Sequence, residues 1–80
     1  MNTTTIDLVP VGLAERNTLV LRRFDALPDG ATLELVFDAP PWVTYHQLRT
    51  DRFEQFDWQL VEPGPERWLV RILKRASTHA

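Results

Sequence analysis

Cysteine is missing from all 80 residues. Disulfides, thiolate metal centres and cysteine nucleophiles are excluded together. Serine occurs once, as Ser77 in the C-terminal tail, so no credible Ser–His–Asp arrangement is available. The glycines Gly12, Gly30 and Gly64 stand far apart, and no Gly-rich phosphate loop is present. Charge of one sign is not in excess either. Nine basic residues against 11 acidic ones leave a formal net charge of −2. A chain so balanced lacks the strong non-specific pull towards phosphate backbones. No apolar run approaches the roughly 20 residues of a membrane span. The N-terminal MNTTTIDLVP has neither a basic stretch nor a long apolar one, so it does not read as a signal peptide. A cytoplasmic protein away from membranes is expected.

Aromatic side chains are plentiful for so short a chain: three tryptophans, four phenylalanines and a tyrosine. They supply large buried areas where a small domain hides only about 60–65% of its unfolded surface. Charged residues at 25% and hydrophobic ones at 44% are ordinary for a folded domain. One domain over residues 1–80 is expected, with its core at about 5–74 and a disordered tail at 75–80.

Periodicity divides the chain into six elements. TIDLVP alternates, with Ile6 and Leu8 on one side and Pro10 as its stop, and reads as a short strand. Leu13, Val20, Phe24 and Leu27 then share one helical face, with Arg16, Arg22, Arg23 and Asp25 placed largely off it. PDG at 28–30 ends that helix, and Gly30 suits a left-handed conformation. ATLELVFD alternates again, putting Leu33, Leu35 and Phe37 on one face. Pro41 fits the first turn of a second helix, with Asp38 before it as a cap and Tyr45, Leu48 and Phe53 as its core stripe. QFDWQLVE and ERWLVRIL are two further strands joined by a PGPE hairpin turn.

The order is βαβαββ. Strand–helix–strand connections are right-handed, so both helices are expected on one face of a mixed four-stranded sheet. The result is an α/β (α+β) two-layer sandwich. Its core face carries Ile6, Leu8, Leu33, Leu35, Phe37, Phe56, Trp58, Leu60, Trp68, Val70 and Ile72. The opposite face carries Asp7, Glu34, Asp57, Gln59, Arg67 and Arg71, with Val36, Val61, Leu69 and Leu73 among them. Those apolar residues are either ordinary exposure or a homodimer contact through the open sheet face.

The phrases DLVPVGLAER, FDAL, LELV, YHQL and FDWQLVEPGPERWLVRI carry a resemblance over roughly residues 6–73. They resemble the TusA-like (SirA-like) fold, and more closely a cysteine-lacking bacterial branch of it made of domains of unknown function. TusA-like sulfur carriers hold a cysteine and then a proline at the start of the first helix. Leu13 and Ala14 stand there in this chain, so sulfur relay is excluded. The branch often shows N-D-H-D-P after its second strand, where this chain has Phe37-Asp38-Ala39-Pro40-Pro41. Only Asp38 and Pro41 match, so if that loop binds something in relatives, the resemblance implies that the site is lost or altered here. Glu15 and Arg16 do match the branch at the first helix. Relatives of this branch tend to accompany redox and hemerythrin-like proteins, and the resemblance implies such a partner.

Candidate binding residues gather where both helices start. Ligands of α/β sheets favour the crevice beyond the carboxyl ends of the strands, and helix N-termini favour anions. Glu15, Arg16, Asp38, Trp42 and His46 form this candidate set. Each has a bland counterpart: Glu15 a first-turn charge, Arg16 a solvated side chain, Asp38 a cap, Trp42 a hydrophobic anchor, His46 a surface or packed histidine. His46 lacks metal-ligating neighbours: Asp38 lies some 12 Å away along a helix axis, and His79 is in the tail. No cofactor, metal site or catalytic constellation is expected. The carboxylates Glu62 and Glu66 flank an exposed turn without the desolvation that shifts a pKa.

Function therefore reads first as a small non-enzymatic binding or adaptor domain with a protein partner. A small-anion or metal sensor using Arg16, Asp38, Trp42 and His46 is the alternative. RNA binding is a further one, because the fold resembles the C-terminal domain of translation initiation factor three. A strip of Arg22, Arg23, Arg49, Arg52, Arg67, Arg71, Lys74 and Arg75 would serve it, but acids are scattered through the strip and no stacking platform accompanies it. Local pairs such as Arg22 with Asp25 are the simpler expectation.

Overall fold

A computed structural model of the chain describes residues 3–75. Ser77, His79 and the expected disordered tail beyond Arg75 lie outside the described residues. The six expected elements are present in the expected order: β1 (Thr3–Asp7), α1 (Leu13–Asp25), β2 (Thr32–Phe37), α2 (Trp42–Asp51), β3 (Phe56–Pro63) and β4 (Trp68–Lys74). They form one four-stranded sheet of order β1-β2-β4-β3. β1 runs parallel to β2, which requires a crossover, and α1 supplies it. β2–β4 and β3–β4 are antiparallel.

Alternation along the strands decides which side is wet. Leu33, Leu35, Val70 and Ile72 face inward and are fully buried, together with Val20 and Phe24 of α1 and Leu48 of α2. Because side chains from both helices share this core, both helices cover the same face of the sheet. Each such side chain contributes roughly 1.5–3 kcal/mol of transfer free energy. The other face stays open. There Arg71 donates from Nε and a terminal nitrogen to Glu34 Oε2 at 3.0 and 2.8 Å, and Thr5 donates to Glu34 Oε1. Val61 and Leu73 remain exposed on it.

Three packing expectations are corrected. Leu13 is 74% exposed instead of buried, whereas Arg16 is only 7% exposed. The buried stripe of α1 climbs in four-residue steps, Arg16–Val20–Phe24. Leu13 shares the angular phase of Val20, but as the first residue of α1 it lies at the end of that stripe and is left exposed. Phe53 is 62% exposed because α2 ends at Asp51, and residues 52–55 form a turn with no helical phase. Arg22 does not pair with Asp25; Arg52 does, bidentately at 2.7 and 2.6 Å.

Helix ends show the same economy. α1 stops at Asp25, before Pro28, and Lys74 Nζ donates to the carbonyls of Phe24, Asp25 and Leu27 at 3.3, 3.3 and 2.9 Å. That places a cation on the negative end of the helix. Gly30 does take the left-handed conformation, with φ at 83°. The hairpin after β3 turns at Gly64, whose φ is 76°, and a Cβ there would collide with the Trp68 indole. The Trp68 Nε1–H is a buried donor without a hydrogen-bond partner among the described residues. Its ring lies edge-to-face on Trp42, with centroids 5.9 Å apart.

Candidate functional site

At the helix-start edge the chain leaves β1, buries Leu8 and turns: the amide of Val9 donates to Asp7 Oδ1 at 3.0 Å. Arg16, one turn into α1, reaches back under this loop. Its Nε donates to the Val11 carbonyl at 2.9 Å, one terminal nitrogen to Asp38 Oδ1 at 2.8 Å and the other to the Val9 carbonyl at 3.3 Å. The side chain therefore joins the loop after β1 to the loop after β2. Asp38 is not the cap of α2. Pro41 holds the N-cap position, no side chain caps the helix, and the first helical bond runs from the Tyr45 amide to the Pro41 carbonyl. Arg16 claims the carboxylate instead, and its hydrogen bond holds the Asp38 carboxyl below the usual aspartate range against a smaller opposing effect of desolvation.

A second tie couples the helices nearby: the buried Thr44 hydroxyl donates to Asn17 Oδ1 at 2.7 Å. Outside this latch lies a shallow crevice of about 420 Å³. Asp7, Val9, Asp38, Glu66 and Arg67 line it, so three carboxylates face one guanidinium. Leu13 and Val43, the first or second residue of each helix, are 74% and 72% exposed on the same edge. Glu15 is exposed in the first turn of α1.

Trp42 and His46 belong elsewhere. They line a larger groove of about 600 Å³ between α2 and β3, together with Tyr45, Arg49, Phe53 and Trp58. Tyr45 is the hub of its aromatic floor, edge-to-face with Trp58 at 4.9 Å, His46 at 5.5 Å and Phe56 at 6.5 Å. The expected set of five thus divides into two places. Arg16 and Asp38 are bonded with Glu15 beside them, and Trp42 and His46 line a groove that shares no lining residue with the crevice. Sequence periodicity assigns Tyr45 and Phe53 to the core, whereas the structure places both on the groove. A signal existed in the sequence: Trp42, Tyr45, His46 and Arg49 stand at i, i+3, i+4 and i+7, one continuous helix face.

The basic strip dissolves into local ion pairs. Arg52 pairs with Asp25, Arg67 with Glu62, Arg71 with Glu34 and Arg75 with Asp57. Hydrogen bonds from these guanidinium groups hold Asp25, Glu34 and Asp57 below their usual carboxyl ranges. Arg22, Arg23 and Arg49 have no such partner among the described residues. No group of three or more histidines and acids able to hold a metal occurs among the described residues. No described helix is long and apolar enough to cross a membrane.

No match was found among curated proteins or among solved structures. A family model does match, over residues 5–74, which takes in the last three residues of β1 and every element from α1 to β4. The chain belongs to the family of uncharacterized conserved proteins DUF2249.

Proposed function

We propose that this chain is a small non-enzymatic adaptor domain of TusA-like fold that recognises a protein partner through its helix-start edge. The observation that carries the reading is the commitment of Arg16 to Asp38, Val9 and Val11. With that guanidinium engaged inside the fold, the groups left for a partner are apolar, Leu13 and Val43, and mainly acidic, Glu15, Asp7 and Glu66, with Arg67 as the one cation of the crevice. Such an edge suits a protein surface that offers an apolar patch flanked by basic residues. A redox or hemerythrin-like protein of the cytoplasm is the kind of partner the family resemblance adds. The βαβαββ order with both helices on one face supports the TusA-like assignment, and the missing cysteine separates this domain from sulfur carriage.

The engaged Arg16 also weighs against the anion sensor, since an incoming anion would have to displace Asp38. The pairing of Arg52, Arg67, Arg71 and Arg75 likewise leaves RNA no continuous cationic track. The test compares proteins captured from the native host by the wild type with those captured by Leu13→Glu and Val43→Glu. A defined set of proteins that both substitutions remove is expected. Equal capture by all three forms would refute the assignment of this edge. A melting temperature raised by phosphate, sulfate or a divalent metal would transfer the case to the sensor, because a ligand of the native state stabilises by RT ln(1 + [L]/Kd).

A further inference from the structure

The groove between α2 and β3 exists because two helices do not cover four strands evenly. β2 and β4 lie centrally, and their inward residues Leu33, Leu35, Val70 and Ile72 are wholly buried. β3 is the edge strand opposite β1, and its inward Phe56, Trp58 and Leu60 stay only half buried. Beside them α2 presents the stripe Trp42, Tyr45, His46 and Arg49, with Phe53 projecting at its end. This is an aromatic trough with an apolar knob on its own rim.

Charges on the rim indicate what lies in it. The Asp57–Arg75 pair is satisfied internally, with Arg75 Nε 3.0 Å from Asp57 Oδ1. Arg49 and the Glu54 carboxylate have opposite signs, line the same groove and make no contact ion pair among the described residues, Glu54 attracting Arg75 only at longer range. Under a two-fold axis residue i meets residue j while j meets i. One unpaired cation and one unpaired anion on a single patch are therefore complementary to a second copy of that patch, where a rim of one sign would repel it.

We propose that the groove between α2 and β3 is the interface of a symmetric homodimer. Arg49 of each copy pairs with the partner's Glu54, and Phe53 of each packs into the other's aromatic trough. The helical stripe from Trp42 to Arg49 is about 10 Å long at ~1.5 Å per residue, and Phe53 extends it by a turn. A contact of that length belongs to the weak class that buries less than about 1,200 Å² in total, so association is reversible and concentration-dependent. The dimer leaves the helix-start edge out of its contacts, and its failure would not bear on the adaptor assignment.

Sedimentation velocity on the full chain tests this, from about 5 µM to about 500 µM, the range that brackets a weak dissociation constant. The weight-average sedimentation coefficient of the wild type is expected to rise across it. Phe53→Ala, Arg49→Glu and Glu54→Arg should each weaken association about tenfold or more. The combined Arg49→Glu/Glu54→Arg chain should recover it, because the reversed pair restores the attraction. All three residues are exposed, and near-UV circular dichroism confirms that each variant keeps its packed aromatic environment. A wild type monomeric at the highest concentration would overturn the proposal. So would single variants that associate like the wild type, as they would if the open sheet face were the contact. A charge-swapped chain that stays monomeric would overturn it as well.

Discussion

Replacing Arg16 by methionine isolates what the latch between the two loops contributes. Methionine keeps an unbranched apolar stem in the buried position and removes the guanidinium. Lost are the donors to the Val11 carbonyl at 2.9 Å and the Val9 carbonyl at 3.3 Å, and the pairing with Asp38. A net hydrogen bond contributes about 1 kcal/mol, so the two carbonyl bonds together stabilise by roughly 2 kcal/mol. The Asp38 partner is nearly half exposed, and exposed ion pairs contribute little, so no separate figure is added for it. In a domain of this size a change of about 2 kcal/mol lowers the melting temperature by on the order of 10 °C.

The assay is urea denaturation followed by tryptophan fluorescence, on the wild type, Arg16→Met and Asp38→Asn. The pH dependence has a definite sign. Arg16 lowers the Asp38 carboxyl below its ordinary value of 3.8. A depressed carboxyl contributes stability that is present above the unfolded value and is lost as pH falls through the folded one. The difference between the wild type and Asp38→Asn should therefore hold at neutral pH and shrink below about pH 4. The two Arg16–carbonyl bonds do not titrate, so the deficit of Arg16→Met should persist in acid. An Arg16→Met chain within about 0.5 kcal/mol of the wild type at neutral pH would refute the reasoning, since it would mean that water replaces those donors at no cost.

Two further outcomes follow from the packing. Leu35→Ala empties a fully buried position in the central strand β2 and should cost about 2–5 kcal/mol, read as a lower urea midpoint with an unchanged slope. Gly64→Ala should destabilise by on the order of 1–3 kcal/mol, because its φ of 76° strains an L-residue and the new Cβ meets the Trp68 indole. The near-UV circular dichroism of Trp68 should change with it, and an unaltered spectrum and midpoint would show that the hairpin yields without cost.

How much was legible beforehand depends on the kind of information. Alternation in ATLELVF specifies which residues of β2 face inward, because a strand's period of two is a local property. The six elements and the shared face of the two helices follow from such local periods and from the handedness of crossovers. Arg16 shows where that logic stops. Sequence reasoning places Arg16 largely off the core face, because a charged side chain is ordinarily assigned to solvent, although four-residue steps join it to Val20 and Phe24 on the buried stripe. Only the nearness of the Val9 and Val11 carbonyls and of Asp38, which lies 22 positions away, makes its burial tolerable. Asp38 differs from the cap that local rules predict for the same reason: a guanidinium distant in sequence engages its carboxylate.

The division of the five candidate residues has a similar cause. Glu15, Arg16, Asp38, Trp42 and His46 cluster in sequence around two helix starts, but α2 carries Trp42 and His46 over its far side towards β3. Which side that is depends on the strand order β1-β2-β4-β3, and the order is a consequence of long-range pairing. The sequence by itself determined the absence of thiol chemistry, the succession of elements and the inward face of each strand, since composition and short-range period decide these. Tertiary structure alone decided that Arg16 is spent on the fold and that β3 lies at an uncovered edge. It also decided that Phe53 projects beside unpaired Arg49 and Glu54. Each of these depends on contacts between residues that no local period relates.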